Sequence, residues 1–186
     1  MWPKAIRPRS GANSWPTWLI SDYVFSVPGN MSRLNAPFSA FENYFNVSAL
    51  FVASAQSGTD QPNKGIFVDT YFNSTQHGAD GRLNYGDQNK LATVLSQSFA
   101  ADAREIGVVL INSPVYGGAG GSSTWVTTGD IASAEVMLHE IGHSFAGLED
   151  EYADPALVNT YPLNWLDSVH VTSSLSNIPW RAWMDY

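Results

Sequence analysis

The segment 131–146 is predicted to form a helix with two unlike faces, and this feature constrains the fold most strongly. At about 100° per residue, His139 and His143 lie side by side on one face. The opposite arc holds the apolar residues Ile131, Ala134, Met137, Leu138, Ile141, Phe145 and Leu148. Asp130 is predicted to cap the start of the helix, and Gly147 is predicted to end it. Such a helix packs one face on a core and leaves its histidine face open.

The segments around this helix predict the sheet on which it packs. The predicted elements are strands at 45–54, 106–111 and 123–128 and a helix at 88–103 capped by Asp87. The strand at 106–111 is apolar throughout and is expected to be buried on both faces. The strand at 123–128 is expected at an edge of the sheet. This order of elements predicts an α/β fold, in which a mixed twisted sheet packs on two main helices and an irregular segment, 148–186, follows.

Glycine and other turn-forming residues dominate the segments between these elements. Residues 55–86 are long and polar, with at most one short strand at 65–71. The glycine-rich segment 116–121 either lines a cleft or is a flexible turn. Gly142 lies inside the predicted helix, where glycine costs about 1 kcal/mol relative to alanine. It indicates either neutral drift or, as the preferred interpretation, the close approach of another backbone, such as the edge strand or a peptide substrate.

Charge and composition narrow the possible classes of protein. The 186 residues include no Cys, which excludes disulfides and a thiol nucleophile. A net charge of −8 argues against a nucleic-acid partner. No apolar run reaches the roughly 18 residues of a membrane span, and no targeting segment is predicted. Between Arg104 and Arg181 the chain has acidic residues but no Lys or Arg, which indicates either a solvated acidic surface or a field that favours a bound cation.

The pentapeptide His139-Glu-Ile-Gly-His143 carries the predicted chemistry. Residues four apart share one helix face, so both imidazoles can reach one ion. Zinc (Zn²⁺) binds imidazole nitrogen well and prefers four ligands. Glu140 lies about 100° around the helix from His139, beside the ion rather than on it. This position suits a general base that takes a proton from water.

A catalytic zinc site needs a third protein ligand and one open position. No Glu follows Glu151, so a glutamate ligand on a distant downstream helix is excluded. A chain that turns back after the helix would instead bring the acidic run 149–151 to the ion. Asp150 is the predicted third ligand and Glu151 the second choice. Asp167 and His170 are more remote candidates.

Four segments of the chain resemble the IgA peptidase family, which consists of bacterial zinc metallopeptidases of the metzincin type. They are HEIGHSFAGLEDEY at 139–152, YGGAGG at 116–121 with the preceding VVLINS, YFNVSALFVASAQSGTD at 44–60 and NIPWRAW at 177–183. The resemblance implies a metzincin-like fold and a zinc site with His139, His143 and Asp150 as ligands and Glu140 as catalytic base. It also implies a protein or peptide substrate and a secreted or cell-surface location.

The resemblance also suggests how the chain is organised. Residues 1–40 match the family less well and are predicted to be a loose or divergent N-terminal arm. Residues 41–186 are predicted to form the metallopeptidase domain, truncated before the methionine turn that such enzymes carry under the metal. Met184 is not expected to be that methionine.

Two other functions are compatible with the sequence. One is an inactive metal-binding or protein-binding module on a peptidase scaffold, suggested by the predicted truncation. The other is a non-metal adhesion or carbohydrate-binding domain in which the motif is accidental. The aromatic content, including Trp165, Trp180 and Trp183, suggests this function, although tryptophan more often packs in a core.

Overall fold

A computed structural model describes residues 38, 40, 44, 45, 47–151 and 168–184, and the backbone of residues 17–21. The described strands are β1 (Thr17–Ser21), β2 (Ser48–Val52), β3 (Thr75–His77), β4 (Leu83–Tyr85), β5 (Gly107–Ile111), β6 (Gly118–Ala119) and β7 (Thr124–Thr127). The described α-helices are α1 (Gln88–Ser98) and α2 (Ser133–Ala146).

The strands form one mixed sheet in the described part of the chain, in the order β2-β1-β5-β7-β6-β4-β3. The pairs β5–β7 and β4–β6 are parallel, and the other neighbouring pairs are antiparallel. The predicted α/β class, with a mixed sheet and two main helices, is confirmed.

The two helices pack on opposite faces of β5. Val108 and Leu110 point to one face and belong to a core cluster with Met137 and Ile141 of α2. Val109 and Ile111 alternate to the other face, where the cluster includes Leu91 and Val94 of α1. All five residues of β5 are buried, as expected for a strand covered on both sides. The strand is thus the centre of both hydrophobic clusters.

The ends of the helices follow the predictions only in part. Asp87 caps α1 as predicted, because its carboxylate accepts hydrogen bonds from the N–H groups of Asn89 and Lys90. Helix α1 ends at Ser98 rather than near residue 103, and a 3-10 turn follows at Ala101–Ala103.

The predicted cap at Asp130 is wrong. The N-cap of α2 is Ala132, and the Asp130 carboxylate instead accepts a hydrogen bond from the Ala132 N–H. Asp130 therefore closes a turn that precedes the helix. Ile131 lies in that turn and is 99% exposed, so it does not join the apolar face predicted for it.

The prediction that 123–128 is an edge strand is also wrong. Strand β7 lies between β5 and β6, and all four of its residues are buried. The glycine-rich segment supplies β6, which pairs with β7 through Gly118–Val126 and Ala119–Trp125. The segment 116–121 was predicted to be a loop, but two of its residues form a short strand that covers the edge of β7. Similarly, β3 and β4 form within the polar segment 55–86, outside the predicted short strand at 65–71.

The proposed domain boundary near residue 40 stays a prediction. Within the predicted arm, β1 pairs with both β2 and β5, so this part of the arm belongs to the sheet. Most of residues 1–40, together with Trp165 and Asp167, lies outside the described residues. In the described part of the chain, no helix has the length and apolar character needed to cross a membrane.

Candidate metal centre

Helix α2 brings the two motif histidines together. Their Nε2 atoms lie 3.2 Å apart, and their rings meet edge to face with centroids 4.7 Å apart. The spacing of four residues stacks the side chains one turn apart, as expected on a helix. Met137 and Ile141 are buried on the other side of the same helix. Leu138 packs against the same core cluster, but Ala134, Phe145 and Leu148 are exposed. The predicted core face is therefore present only in part, and it is narrower than expected.

The chain returns to this histidine pair immediately after α2. Gly147 ends the helix in the left-handed conformation, with φ of 62°, and its N–H bonds to the His143 carbonyl. Three residues later, Asp150 Oδ1 lies 3.0 Å from His139 Nε2 and 3.4 Å from His143 Nε2. This oxygen is buried and has no hydrogen-bond partner in the described part of the chain. Two imidazole nitrogens and one carboxylate oxygen thus converge on one point.

The alternative third ligand lies elsewhere. Glu151 Oε1 is 3.5 Å from His170 Nε2, and the Glu151 side chain is 75% exposed. His170 Nε2 itself is 3.2 Å from the Glu149 carbonyl oxygen. Neither Glu151 nor His170 therefore points at the histidine pair, whereas Asp150 does.

The tautomer of His143 follows from its other ring nitrogen. Nδ1 makes a short hydrogen bond with the Leu148 carbonyl oxygen, and a carbonyl can only accept. Nδ1 therefore carries the hydrogen, and in the neutral ring Nε2 has a bare lone pair. That lone pair faces Asp150 Oδ1, which also has only lone pairs. A cation between these atoms would relieve the repulsion of their lone pairs, so the donor set fits a metal ion.

Glu140 lies beside this triangle of atoms. Its Oε2 is 4.0 Å from His143 Nε2, and its side chain is 12% exposed compared with 46% for His139. Burial raises the pKa of the Glu140 carboxyl. The charges of His139 and His143 oppose this rise, Asp150 adds to it, and the Gly120 backbone N–H opposes it. A buried carboxylate with a raised pKa beside a candidate metal site has the properties of a general base.

The glycine-rich segment packs directly against the motif helix. A Cβ on Gly118 would lie 2.6 Å from Val136 Cγ1 and 3.1 Å from Glu140 Oε1. A Cβ on Gly120 would lie 2.5 Å from the Glu140 carbonyl oxygen and 2.7 Å from His143 Cβ. Gly118 lies in β6 and Gly120 immediately follows it, and the missing side chains let this backbone lie close to α2.

The close backbone approach predicted at Gly142 is not found there. A Cβ at Gly142 would meet only Leu148 Cδ1, at 3.4 Å. Gly118 and Gly120, rather than Gly142, provide the space in which the backbone of segment 116–121 comes close to α2.

We expect Gly120→Ala to lower the free energy of unfolding by about 1–3 kcal/mol, the usual cost of overpacking. The added methyl group would overlap the Glu140 carbonyl, which is backbone and cannot rotate away. Urea denaturation of the purified chain measures this change. Gly142→Ala is the matched control and should be neutral, or stabilising by up to about 1 kcal/mol through helix propensity. Equal unfolding free energies for Gly120→Ala and the wild type would contradict the packing described here.

A cavity of about 360 Å³ opens over the converging atoms. Its lining includes the imidazoles of His139, His143 and His170 and the acidic residues Glu149, Asp150 and Glu151. Its volume lies at the lower end of the range for ligand pockets. The lining residues carry no positively charged Lys or Arg, so the field in the cavity favours a cation.

A histidine pair and a buried carboxylate on one helix, below a cavity, define the candidate centre of a metal-dependent hydrolase. His139, Glu140 and His143 form a group able to hold a metal ion. The chain belongs to the IgA peptidase M64 family, whose family model matches residues 30–185. Family membership makes the chain a peptidase, and therefore a hydrolase, of a metal-dependent family. No curated protein matches the chain.

Three contributions to the site were not predicted from the sequence. They are the Leu148 carbonyl that orients His143, the close approach of Gly118 and Gly120 to α2, and the contact of His170 with residues 149–151. The spacing of two glycines two residues apart, at β6 and just after it, was a usable signal. The other two contacts depend on how the chain after α2 folds back, which no local pattern indicates.

Proposed function

We propose that the protein is a zinc metalloendopeptidase in which His139, His143 and Asp150 hold the metal and Glu140 is the general base. The observation that carries the proposal is the triangle of His139 Nε2, His143 Nε2 and Asp150 Oδ1, with edges of 3.0, 3.2 and 3.4 Å. Ligand atoms of a tetrahedral zinc site lie about 3.3 Å apart, because Zn–N and Zn–O bonds are about 2.0 Å long. Three protein ligands leave one position open, as catalytic zinc requires.

The chemistry that zinc supplies when bound is Lewis acidity, which polarises a peptide carbonyl and makes water more acidic. The protein residues supply orientation and proton transfer. The Leu148 carbonyl fixes the orientation of the His143 ring by accepting a hydrogen bond from Nδ1. This hydrogen bond supports the role of Nε2 as a ligand atom, because Nε2 then keeps its lone pair. Asp150 contributes a negative charge that balances part of the charge of a divalent ion.

Glu140 is proposed to move the proton of the reaction. Oε2 lies 4.0 Å from His143 Nε2, so it is placed to accept a proton from the attacking water and later deliver it to the leaving amine. Burial raises the pKa of this carboxyl, which makes the carboxylate a stronger base. The charge of a bound cation would oppose that rise.

The substrate is proposed to be a protein or peptide, as the family implies. Strand β7 cannot pair with it, because β5 and β6 occupy both of its sides. The metzincin-like arrangement remains part of this proposal and is supported by the turn at Gly147 that returns the chain to the motif helix. Secretion or display at the cell surface is likewise proposed from the family alone.

The test of this function is hydrolysis of a peptide library by the purified chain. We expect cleavage with one equivalent of zinc, loss of cleavage after treatment with a chelator, and recovery when zinc is restored. Mass spectrometry of the products identifies the cleaved bonds. Zinc binding without cleavage of any peptide would support the non-catalytic module instead. Cleavage that persists in the metal-free chain would exclude a metal-dependent mechanism.

A further inference from the structure

We infer that His170 is a positioning residue that holds the third metal ligand in place from the C-terminal segment. The inference rests on the proposed function, since it takes Asp150 as a ligand. His170 lies 20 residues beyond Asp150 in the sequence, yet it contacts both neighbours of that residue. It also lines the cavity over the candidate metal site.

His170 contacts the short segment that carries Asp150 on both sides of that residue. Its Nε2 lies 3.2 Å from the Glu149 carbonyl oxygen and 3.5 Å from Glu151 Oε1. Because the carbonyl can only accept, Nε2 carries a hydrogen and donates it. One imidazole N–H is thereby directed to the residues immediately before and after Asp150.

The second ring nitrogen fixes the orientation of His170. Nδ1 lies 3.2 Å from Ser168 Oγ, and in the neutral ring with hydrogen on Nε2 it can only accept. Ser168 therefore donates to Nδ1 and holds the tautomer that Glu149 requires. The His170 side chain is 22% exposed, so these bonds are partly shielded from competing water.

The segment at Asp150 needs such support. Glu149, Asp150 and Glu151 follow the end of α2 at Gly147 and belong to no helix or strand. A ligand carried on irregular backbone must be held by contacts from other parts of the chain, because loop positions are less precise than positions on helices. His139 and His143 need less support, since α2 itself spaces them. His170 thus gives Asp150 the support that α2 gives to the two histidines.

The experiment measures zinc affinity by competition with a chromophoric chelator, using the purified full chain. His170→Ala is expected to weaken zinc binding about 10–100-fold, the usual effect of removing a partner that orients a ligand. His170→Gln should restore most of the affinity, because its amide N–H can take the place of Nε2. His170→Asn, whose amide is one bond shorter, should remain weak. The unfolding free energy of each metal-free variant shows whether a change in affinity arises only from lost stability.

Two reference variants separate this inference from the proposed function. Wild-type chain that binds no zinc, or Asp150→Ala that binds it as tightly as wild type, would reject the ligand assignment. Weak binding by Asp150→Ala together with wild-type affinity in His170→Ala would overturn the role of His170 alone. Loss of zinc from His170→Ala that glutamine does not restore would also overturn it, since His170 would then act as a ligand itself. If the alanine variant does not fold, the comparison of glutamine with asparagine decides in the same way.

Discussion

Replacement of Glu140 by glutamine is expected to lower kcat/KM for peptide hydrolysis by about 100–10,000-fold, the usual contribution of a general base. The side chain keeps its shape, but an amide cannot accept the proton of an attacking water. The loss should lie in kcat with little change in KM, because the residue acts on the proton rather than on substrate binding. Zinc content should remain at one equivalent, since Glu140 lies outside the triangle of proposed ligand atoms.

The matched control for this variant is Glu135→Gln. Both residues lie on α2, and both changes remove one negative charge, but Glu135 is exposed in the first turn of the helix. We expect Glu135→Gln to retain the activity of the wild type. Hydrolysis by Glu140→Gln at the wild-type rate would remove Glu140 from the mechanism. Loss of zinc from the same variant would show that Glu140 is a ligand instead of a base.

Replacement of His143 by alanine is expected to abolish stoichiometric zinc binding. His143 contributes one corner of the triangle and is the ring whose Nδ1 bond to Leu148 leaves Nε2 available. Two ligands are too few for a stable zinc site in a protein. The stabilisation that zinc gives the folded chain should disappear with the metal, a loss of about 2.7 kcal/mol at zinc concentrations 100-fold above Kd. Metal analysis and thermal unfolding with and without zinc measure both effects.

His77→Ala is the control for the loss of a histidine. His77 lies in β3, where its ring stacks on Tyr85 with centroids 4.0 Å apart, and it does not line the cavity over the candidate metal site. This variant should bind zinc as the wild type does. Equal zinc content in His143→Ala and wild type would mean that the metal, if bound, lies at another place. The triangle of His139, His143 and Asp150 would then no longer support the proposed function.

The parts of the structure that were predictable from sequence are those with strong local signals. The apolar run of β5 predicted a strand buried on both faces, because polar residues would be needed for an exposed face. The spacing of His139 and His143 predicted their approach, because the α-helix places residues four apart on one side. Asp87 and Gly147 were recognised as helix ends because a capping carboxylate and a left-handed glycine are properties of single residues.

The parts that were not predicted depend on which segments meet. The edge of β7 is covered by a strand of two residues, β6, which is too short to produce a periodic pattern. Asp130 is as good a cap in isolation as Asp87, but the turn at 130–133 starts the helix two residues later than expected.

By itself, the sequence determined the helix at the candidate metal site, the histidine pair and glutamate that this helix carries, and the α/β class of the fold. These follow from residue type and from periods of two and 3.6 residues, which act within one segment. Only the tertiary structure decided that Asp150 rather than Glu151 faces the histidine pair, that glycines 118 and 120 lie against α2, and that His170 contacts the neighbours of Asp150. Those contacts join segments without regular structure, and their geometry is set by the packing of the whole domain rather than by any local preference of the chain.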